Sequence, residues 1–245
     1  MRHVSSVFKA AVRDRLIASS PMEGLRPPKK PKTEVVPLTV EQVQLIAESI
    51  QPRYSALVLF IAMSGLRPGE AFGVTKDRVD WLGRSVRVDR QLVTVGNEVD
   101  FSTLKTEASY RTVPLPTLAV ELLSEHVRIF ELGESDLIFS NAKGEMIQRK
   151  RFGEVWRQAM KALDFECKGP HQLRHHYASL LIEHGESVKV VQKRLGHSSA
   201  TETLNTYAHL WPDSEDSTRE AVKAAYSPSL LKRSSLGSAD VVSVS

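Results

Sequence analysis

His171-Gln172-Leu173-Arg174 sets an imidazole and a guanidinium three residues apart, directly after Pro170. Proline suits the first helical position because it lacks an N–H that would go unpaired there. On a helix His171 and Arg174 share a face, while Leu173, Tyr177, Leu180 and Leu181 make the adjacent apolar stripe. Projecting from a helix N-terminus, the two form an anion site: fixed charge, a planar donor fork and a favourable dipole. Most isolated His-x-x-Arg pairs are merely solvated polar faces, so this pair alone is a weak signal. A metal reading competes, because His171, His175, His176 and His184 put imidazoles at helical spacing. No His-Glu-x-x-His pattern completes it, and Arg174 among the ligands would repel a cation. The sequence therefore assigns no metal ligand and no cofactor.

Other reactive side chains are spread along the chain. They are Arg67 and Glu70 in Gly65-Leu66-Arg67-Pro68-Gly69-Glu70, Lys105 in Leu104-Lys105-Thr106, His197 in Leu195-Gly196-His197, and Tyr207 in Thr206-Tyr207-Ala208-His209. Taken singly, a helical tyrosine is more often packing than chemistry. Glu70 reads evenly as a group orienting a site or as a helix-start carboxylate that only meets the dipole.

These residues need elements to hold them. Residues 3 to 18 have the apolar spacing of a helix, too short to stand alone in water. Residues 21 to 36 form a proline-rich basic linker in which Lys29, Lys30 and Lys32 suit phosphate contacts or plain solvation equally. A main domain begins near Pro37. Thr39-Val40-Glu41-Gln42 is a capping box opening a helix to about Ile50, and an apolar helix from Arg53 to Ser64 stops at Gly65. Residues 85–95 and 98–103 alternate around Gly96-Asn97 and predict a hairpin, with a short strand at Arg111–Pro114. Helices follow at about 116–130, 149–163, 170–184, 187–194 and 200–208. Gly196 ends one of them, and Ser199-x-x-Glu202 caps the next. The predicted class is a mainly α domain with one small antiparallel β-sheet.

Composition sets the outer limits. Hydrophobic residues at 41% and charged residues at 25% suit a globular protein with a sizeable core. The formal charge of +4 fits a nucleic-acid partner without demanding one. The longest apolar run, Ala56 to Met63, is far short of the roughly 20 residues of a membrane helix. Basic residues from Arg2 to Arg15 leave no secretory apolar region, and a single cysteine, Cys167, excludes an internal disulfide. The expectation is a soluble cytoplasmic protein with no membrane partner.

Taken in order, Arg67, Lys105, His171-x-x-Arg174, Leu-Gly-His197 and Tyr207 strongly resemble the tyrosine recombinases of the phage-integrase family. The Gly-Leu-Arg-x-x-Glu and Thr-x-Tyr-x-His contexts are intact, and the likeness covers residues 37 to about 212. Two departures, Ala71 for a larger aliphatic residue and Gln172 for an acidic one, alter no reacting group. The resemblance implies a tyrosine-recombinase catalytic fold over residues 37–212. Residues 1–20 would then be the last helix of a truncated core-binding domain. Residues 213–245 would carry a helix near 217–225 and a flexible tail that packs on a neighbouring protomer.

It further implies that Tyr207 attacks a DNA phosphate to give a 3′-phosphotyrosyl link and a free 5′-hydroxyl. Arg67 and Arg174 would neutralise the phosphate, a stabilisation that is often the largest catalytic term. A phenol with a pKa near 10 needs help, with His171 as the expected proton acceptor. Lys105 would act as general acid on the leaving oxygen, in preference to Lys76 or Lys143. His197 would bind a non-bridging oxygen and Glu70 would support the site. The basic run Arg149-Lys150-Arg151 is a further candidate for DNA contacts. The implied partners are double-stranded recombination sites, three further protomers in a homotetramer, and accessory DNA-bending or directionality proteins. An integrase role is favoured over chromosome-dimer resolution. An inert DNA-binding relative and a metal-dependent hydrolase built on the histidines are the rivals.

Overall fold

A computed structural model describes residues 2–25, 34–96, 98–211 and 215–225. It divides into two compact units, Met1–Glu34 and Val35–Ser245. Lys29, Lys30, Lys32, most of the linker, Asn97 and the tail from 226 onward lie outside the described residues.

The first unit holds α1 (Arg2–Arg13). The helix stops five residues earlier than its apolar spacing predicts. Arg15 adopts a left-handed φ of 58°, the Leu16 N–H returns to Ala11 O and the Arg15 N–H to Val12 O. This pair of bonds is a Schellman closure, built here on an arginine rather than the glycine that would have signalled it.

The second unit opens with α2 (Val40–Ser49), whose capping box closes as expected: Thr39 Oγ1 accepts from the Gln42 N–H, and Gln42 Oε1 accepts from the Thr39 N–H. Next comes α3 (Pro52–Ser64), the apolar helix, with Leu57, Val58, Phe60 and Ile61 fully buried. A short α4 (Pro68–Phe72), which the sequence reading did not anticipate, follows directly. Phe72 and Tyr54 both pack on Phe152, and Phe60 packs on Phe139, which knits these helices into one core.

The β region departs from expectation. Strands β1 (Val79–Asp80), β2 (Ser85–Val88) and β5 (Arg111–Pro114) form an antiparallel sheet in the order β1-β2-β5, while β3 (Arg90–Val95) and β4 (Glu98–Thr103) form a separate hairpin. There are thus two sheets among the described residues, not one. The alternating run 85–95 breaks at Asp89, whose carboxylate is claimed by Arg78, Arg87 and Arg90, and the chain changes sheet there. The register Val88↔Arg111 and Val86↔Val113 turns Arg111 and Val113 inward together.

Helices α5 (Thr117–Phe130), α6 (Arg149–Met160), α7 (His171–Glu183), α8 (Val188–Leu195) and α9 (Ala200–Tyr207) lie close to their predicted spans. The chain ends in α10 (Glu215–Ala225). α6 closes three residues early, where Lys161, Ala162 and Leu163 tighten into i→i−3 turns. Tyr177, Ala178, Ile182, Val191, Leu195 and Tyr207 make a second apolar cluster that joins α7, α8 and α9. None of the described helices is long and apolar enough to cross a membrane.

Candidate active site

Two helix ends build the floor of the site. α3 and α8 both terminate at glycines with φ of 65°, Gly65 and Gly196, which leave their last carbonyls pointing away from the helix. A side chain at Gly65 would sit 2.2 Å from the Tyr177 ring, and one at Gly196 would press on Arg111 Nη1 at 3.0 Å. The freed carbonyls receive three arginines. Arg174, 1% exposed, donates to Gly65 O at 2.7 Å and to Leu195 O at 2.6 Å. Arg67 donates to Gly196 O at 3.2 Å, and Arg111 Nε to Arg194 O at 2.8 Å. Cations at helix C-termini are stabilised by the dipole as well as by the hydrogen bonds.

Glu70 is the counter-ion of this group. Its buried carboxylate accepts from the Arg67 N–H and Nη1, both at 2.8 Å, and from Arg111 Nη2 and Nη1 at 2.8 and 3.2 Å. Burial pushes its pKa up, but Arg111, Arg67 and Arg174 outweigh that and hold it below the usual carboxylate range. Glu70 therefore does both things the sequence left open: it caps α4 and it fixes Arg67. Three guanidiniums against one carboxylate leave the cradle positive, which suits an anion.

Arg67, Glu70 and Lys105 line one cleft of about 330 Å³ together with Gln91, Ser109, Gly196 and Ser198. Of the three lysines weighed, Lys105 is the one on this cleft; Lys143 lines another cavity with Tyr54 and Arg151. Arg149, Lys150 and Arg151 are exposed at the start of α6, and Arg149 is close enough to lower the His171 pKa. His171 stands exposed at the start of α7, its ring edge-on to His175 at 4.9 Å.

His197, just past Gly196, is buried, with Nδ1 2.9 Å from Thr203 Oγ1 and Nε2 3.9 Å from Glu202 Oε1. Burial first, then Arg174, lower its pKa to about 4, so it is neutral at working pH. Ser199 caps α9 by accepting from the Glu202 N–H, while Glu202 reaches back to the Ser198 N–H rather than to that of Ser199. Tyr207 ends α9. Its ring stacks on His197 with centroids 6.4 Å apart, and its phenol lies 2.7 Å from His175 Nδ1. It is 1% exposed, and burial pushes its pKa up to about 12. The phenol is thus hydrogen-bonded to His175, not to His171 as the sequence reading expected of a proton acceptor. Tyr207 and Arg174 sit below the cleft, not on its wall.

The histidines do not converge on one point. His175 Nδ1 faces Tyr207, His176 Nδ1 faces Leu38 O, and His184 Nδ1 faces Leu180 O.

A family model described as the phage integrase family matches residues 36–213. The chain belongs to that family. It is 28% identical over 238 residues to a tyrosine recombinase XerC-like protein of Caldanaerobacter subterraneus subsp. tengcongensis, an alignment covering 85% of this chain and 61% of the relative. It is 29% identical over 187 residues to tyrosine recombinase XerD of Corynebacterium glutamicum, covering 74% and 55% respectively. The chain thus spans a little over half the length of these relatives. Among solved structures it is similar to the Tn1549 transposon integrase in complex with transposon right end DNA. That match has a TM-score of 0.72 and 21% identity, covering 91% of this chain and 77% of that one. It is also similar to a lambda integrase dimer bound to a core site, with a TM-score of 0.59 and 18% identity over 81% and 70% of the two chains. At these identities the likeness is one of fold, and the mainly α family architecture agrees with the predicted class.

Two residues at the site were missed as participants. Arg111 had a signal: an arginine on the inward face of an alternating strand is costly unless paired. His175, four residues after His171, was visible but was weighed only as a metal ligand.

Proposed function

We propose that this chain is the catalytic part of a site-specific DNA recombinase that cuts and rejoins strands through a 3′-phosphotyrosyl intermediate at Tyr207. The observation that carries the reading is the stacking of Tyr207 on His197, one residue past the carbonyl that anchors Arg67. A nucleophile beside a cationic cradle is what attack on a phosphodiester requires. The phosphate enters the cleft at Arg67, with Arg174 supplying charge from below. The Tyr207 oxygen bonds to phosphorus, the bond to the 5′-oxygen breaks, and Lys105 protonates that oxygen. His197 donates to a non-bridging oxygen. The covalent link conserves the phosphodiester, so rejoining needs no ATP. Because Tyr207 is enclosed, DNA binding must first shift α9.

Three adjacent cations at a helix N-terminus oppose the dipole, so Arg149, Lys150 and Arg151 are placed at a cost that phosphate contacts would offset. Lys29, Lys30 and Lys32 extend the same role along the linker. The partners are duplex recombination sites bound by a homotetramer, with accessory DNA-bending or directionality proteins. Residues 1–20 close a core-binding domain, residues 37–212 form the catalytic domain, and residues 213–245 pack on a neighbouring protomer. The enzyme works in a bacterial cytoplasm, integrating or excising a mobile element.

The test is covalent capture on nicked duplex DNA in the presence of chelator. The wild type is expected to give a protein–DNA adduct that Tyr207→Phe abolishes and Arg174→Ala reduces by about 100-fold or more. An adduct that persists in the Phe variant rules out Tyr207. Strand cleavage abolished by chelator, with no adduct, would favour a metal-dependent hydrolase instead.

A further inference from the structure

The reading above gives Tyr207 a phosphate to attack but no destination for its proton. Every sequence-based candidate for that role pointed to His171. The geometry points elsewhere. His175 Nδ1 lies 2.7 Å from the Tyr207 phenol, and the rings meet edge-on with centroids 5.5 Å apart. His171 reaches only as far as the His175 ring, at 4.9 Å, and stands exposed at the start of α7.

We infer that His175 is a further catalytic residue: it holds the Tyr207 hydroxyl in place and takes its proton during strand cleavage, leaving His171 to face solvent and phosphate. The inference rests on Tyr207 being the nucleophile. In the neutral ring Nε2 carries the hydrogen, and Nδ1 accepts from the phenol. As the Tyr207 oxygen bonds to phosphorus its O–H bond breaks, the proton passes to Nδ1, and His175 becomes an imidazolium. The electrons of the breaking P–O bond leave with the 5′-oxygen, which Lys105 protonates. Rejoining runs each transfer backwards: the 5′-hydroxyl returns its proton to Lys105, and the imidazolium returns its own to the departing phenolate.

The surroundings suit a reversible acceptor. On α7 the ring neighbours are His171 and Arg174. From α9 and the turn before it come Tyr207, Glu202 and His197, and from the N-terminus of α4 comes Arg67. Burial and then Arg174 lower the His175 pKa, so the ring is neutral and free to accept at pH 7. The same forces make its imidazolium a ready donor when the strand is resealed. A strong base would hold the proton and trap the covalent state.

The probe is a pool of nicked, end-labelled duplexes with a randomised core, offered to the 245-residue chain, with covalent adduct counted under denaturing conditions. His175→Asn keeps a polar atom near the Nδ1 position but cannot accept a proton. It should slow adduct formation by ~100-fold while DNA retention and melting temperature stay those of the wild type. Its rate should also climb through alkaline pH, where the phenol must ionise unaided, whereas the wild type levels off nearer neutrality. Imidazole added to His175→Ala should restore part of the rate. An Asn variant as fast as the wild type, or slower with an unchanged pH profile, overturns the inference. A wild type that forms no Tyr207-dependent adduct overturns the recombinase reading itself, a separate failure from one confined to the His175 variants.

Discussion

The arginine cradle and the arm that carries Tyr207 lie side by side and are built on opposite principles. In the cradle each guanidinium is tied at two or more points: Arg174 to two backbone carbonyls, Arg67 to Glu70 and Gly196, Arg111 to Glu70 and three groups in all. The ties come from the ends of α3 and α8 and from β5, elements set in the body of the fold. The arm is the eight-residue α9, held by an apolar cluster and by two side-chain contacts, His197 to Thr203 and Tyr207 to His175. The difference separates two needs of the chemistry. Charge that stabilises a transition state works best when it is fixed beforehand. A nucleophile that must meet DNA and later release it has to move.

If the comparison is right, equal-sized insults should have unequal effects. Arg111→Met removes one partner of a buried ion pair and leaves Glu70 under-compensated, so stability should fall by about 3 kcal/mol in denaturant titration. An Arg111→Met protein as stable as the wild type would show that the cradle is not over-determined. Thr203→Val deletes a single contact of the arm at nearly constant volume. It should cost about 1 kcal/mol, seen mainly as faster amide exchange in α9. A larger loss there than in Arg111→Met would reverse the ranking of the two regions.

The smallest effect concerns neither region. His126 is buried between Phe130 and Phe139, with its Nε2 unpartnered among the described residues, and burial followed by Arg53 lowers its pKa to about 4. An unfolded histidine titrates near 6.5. Between those values the unfolded chain binds a proton that the fold excludes, so stability should decline as pH falls from about 6.5 toward 4 and level off below. His126→Phe should flatten that part of the pH–stability curve. An unchanged slope would assign the acid sensitivity to other groups.

Local patterns carried much of this architecture. The Thr39 and Gln42 capping box, the apolar run of α3, the glycine stops at 65 and 196 and the Arg111–Pro114 strand are all decided by neighbours within a few residues. The misses came where partners are distant or where a residue departs from type. Alternation runs unbroken through 85–95, and only three arginines gathering on Asp89 divide it between two sheets. Nothing local marks Arg15 as the left-handed residue that ends α1. At the site, motif order named Arg67, Lys105, Arg174, His197 and Tyr207 as candidates, because their contexts are short and distinctive. The bonds of Arg111 to Glu70 and of His175 to Tyr207 join positions 41 and 32 residues apart, beyond the reach of any periodicity.

The account stands on one atom, the phenolic oxygen of Tyr207. Trapped protein–DNA complex, digested with nuclease and protease and sequenced by mass spectrometry, should give a single nucleotide-bearing peptide with the added mass on Tyr207. The same mass on a serine, a histidine or any other tyrosine would contradict it.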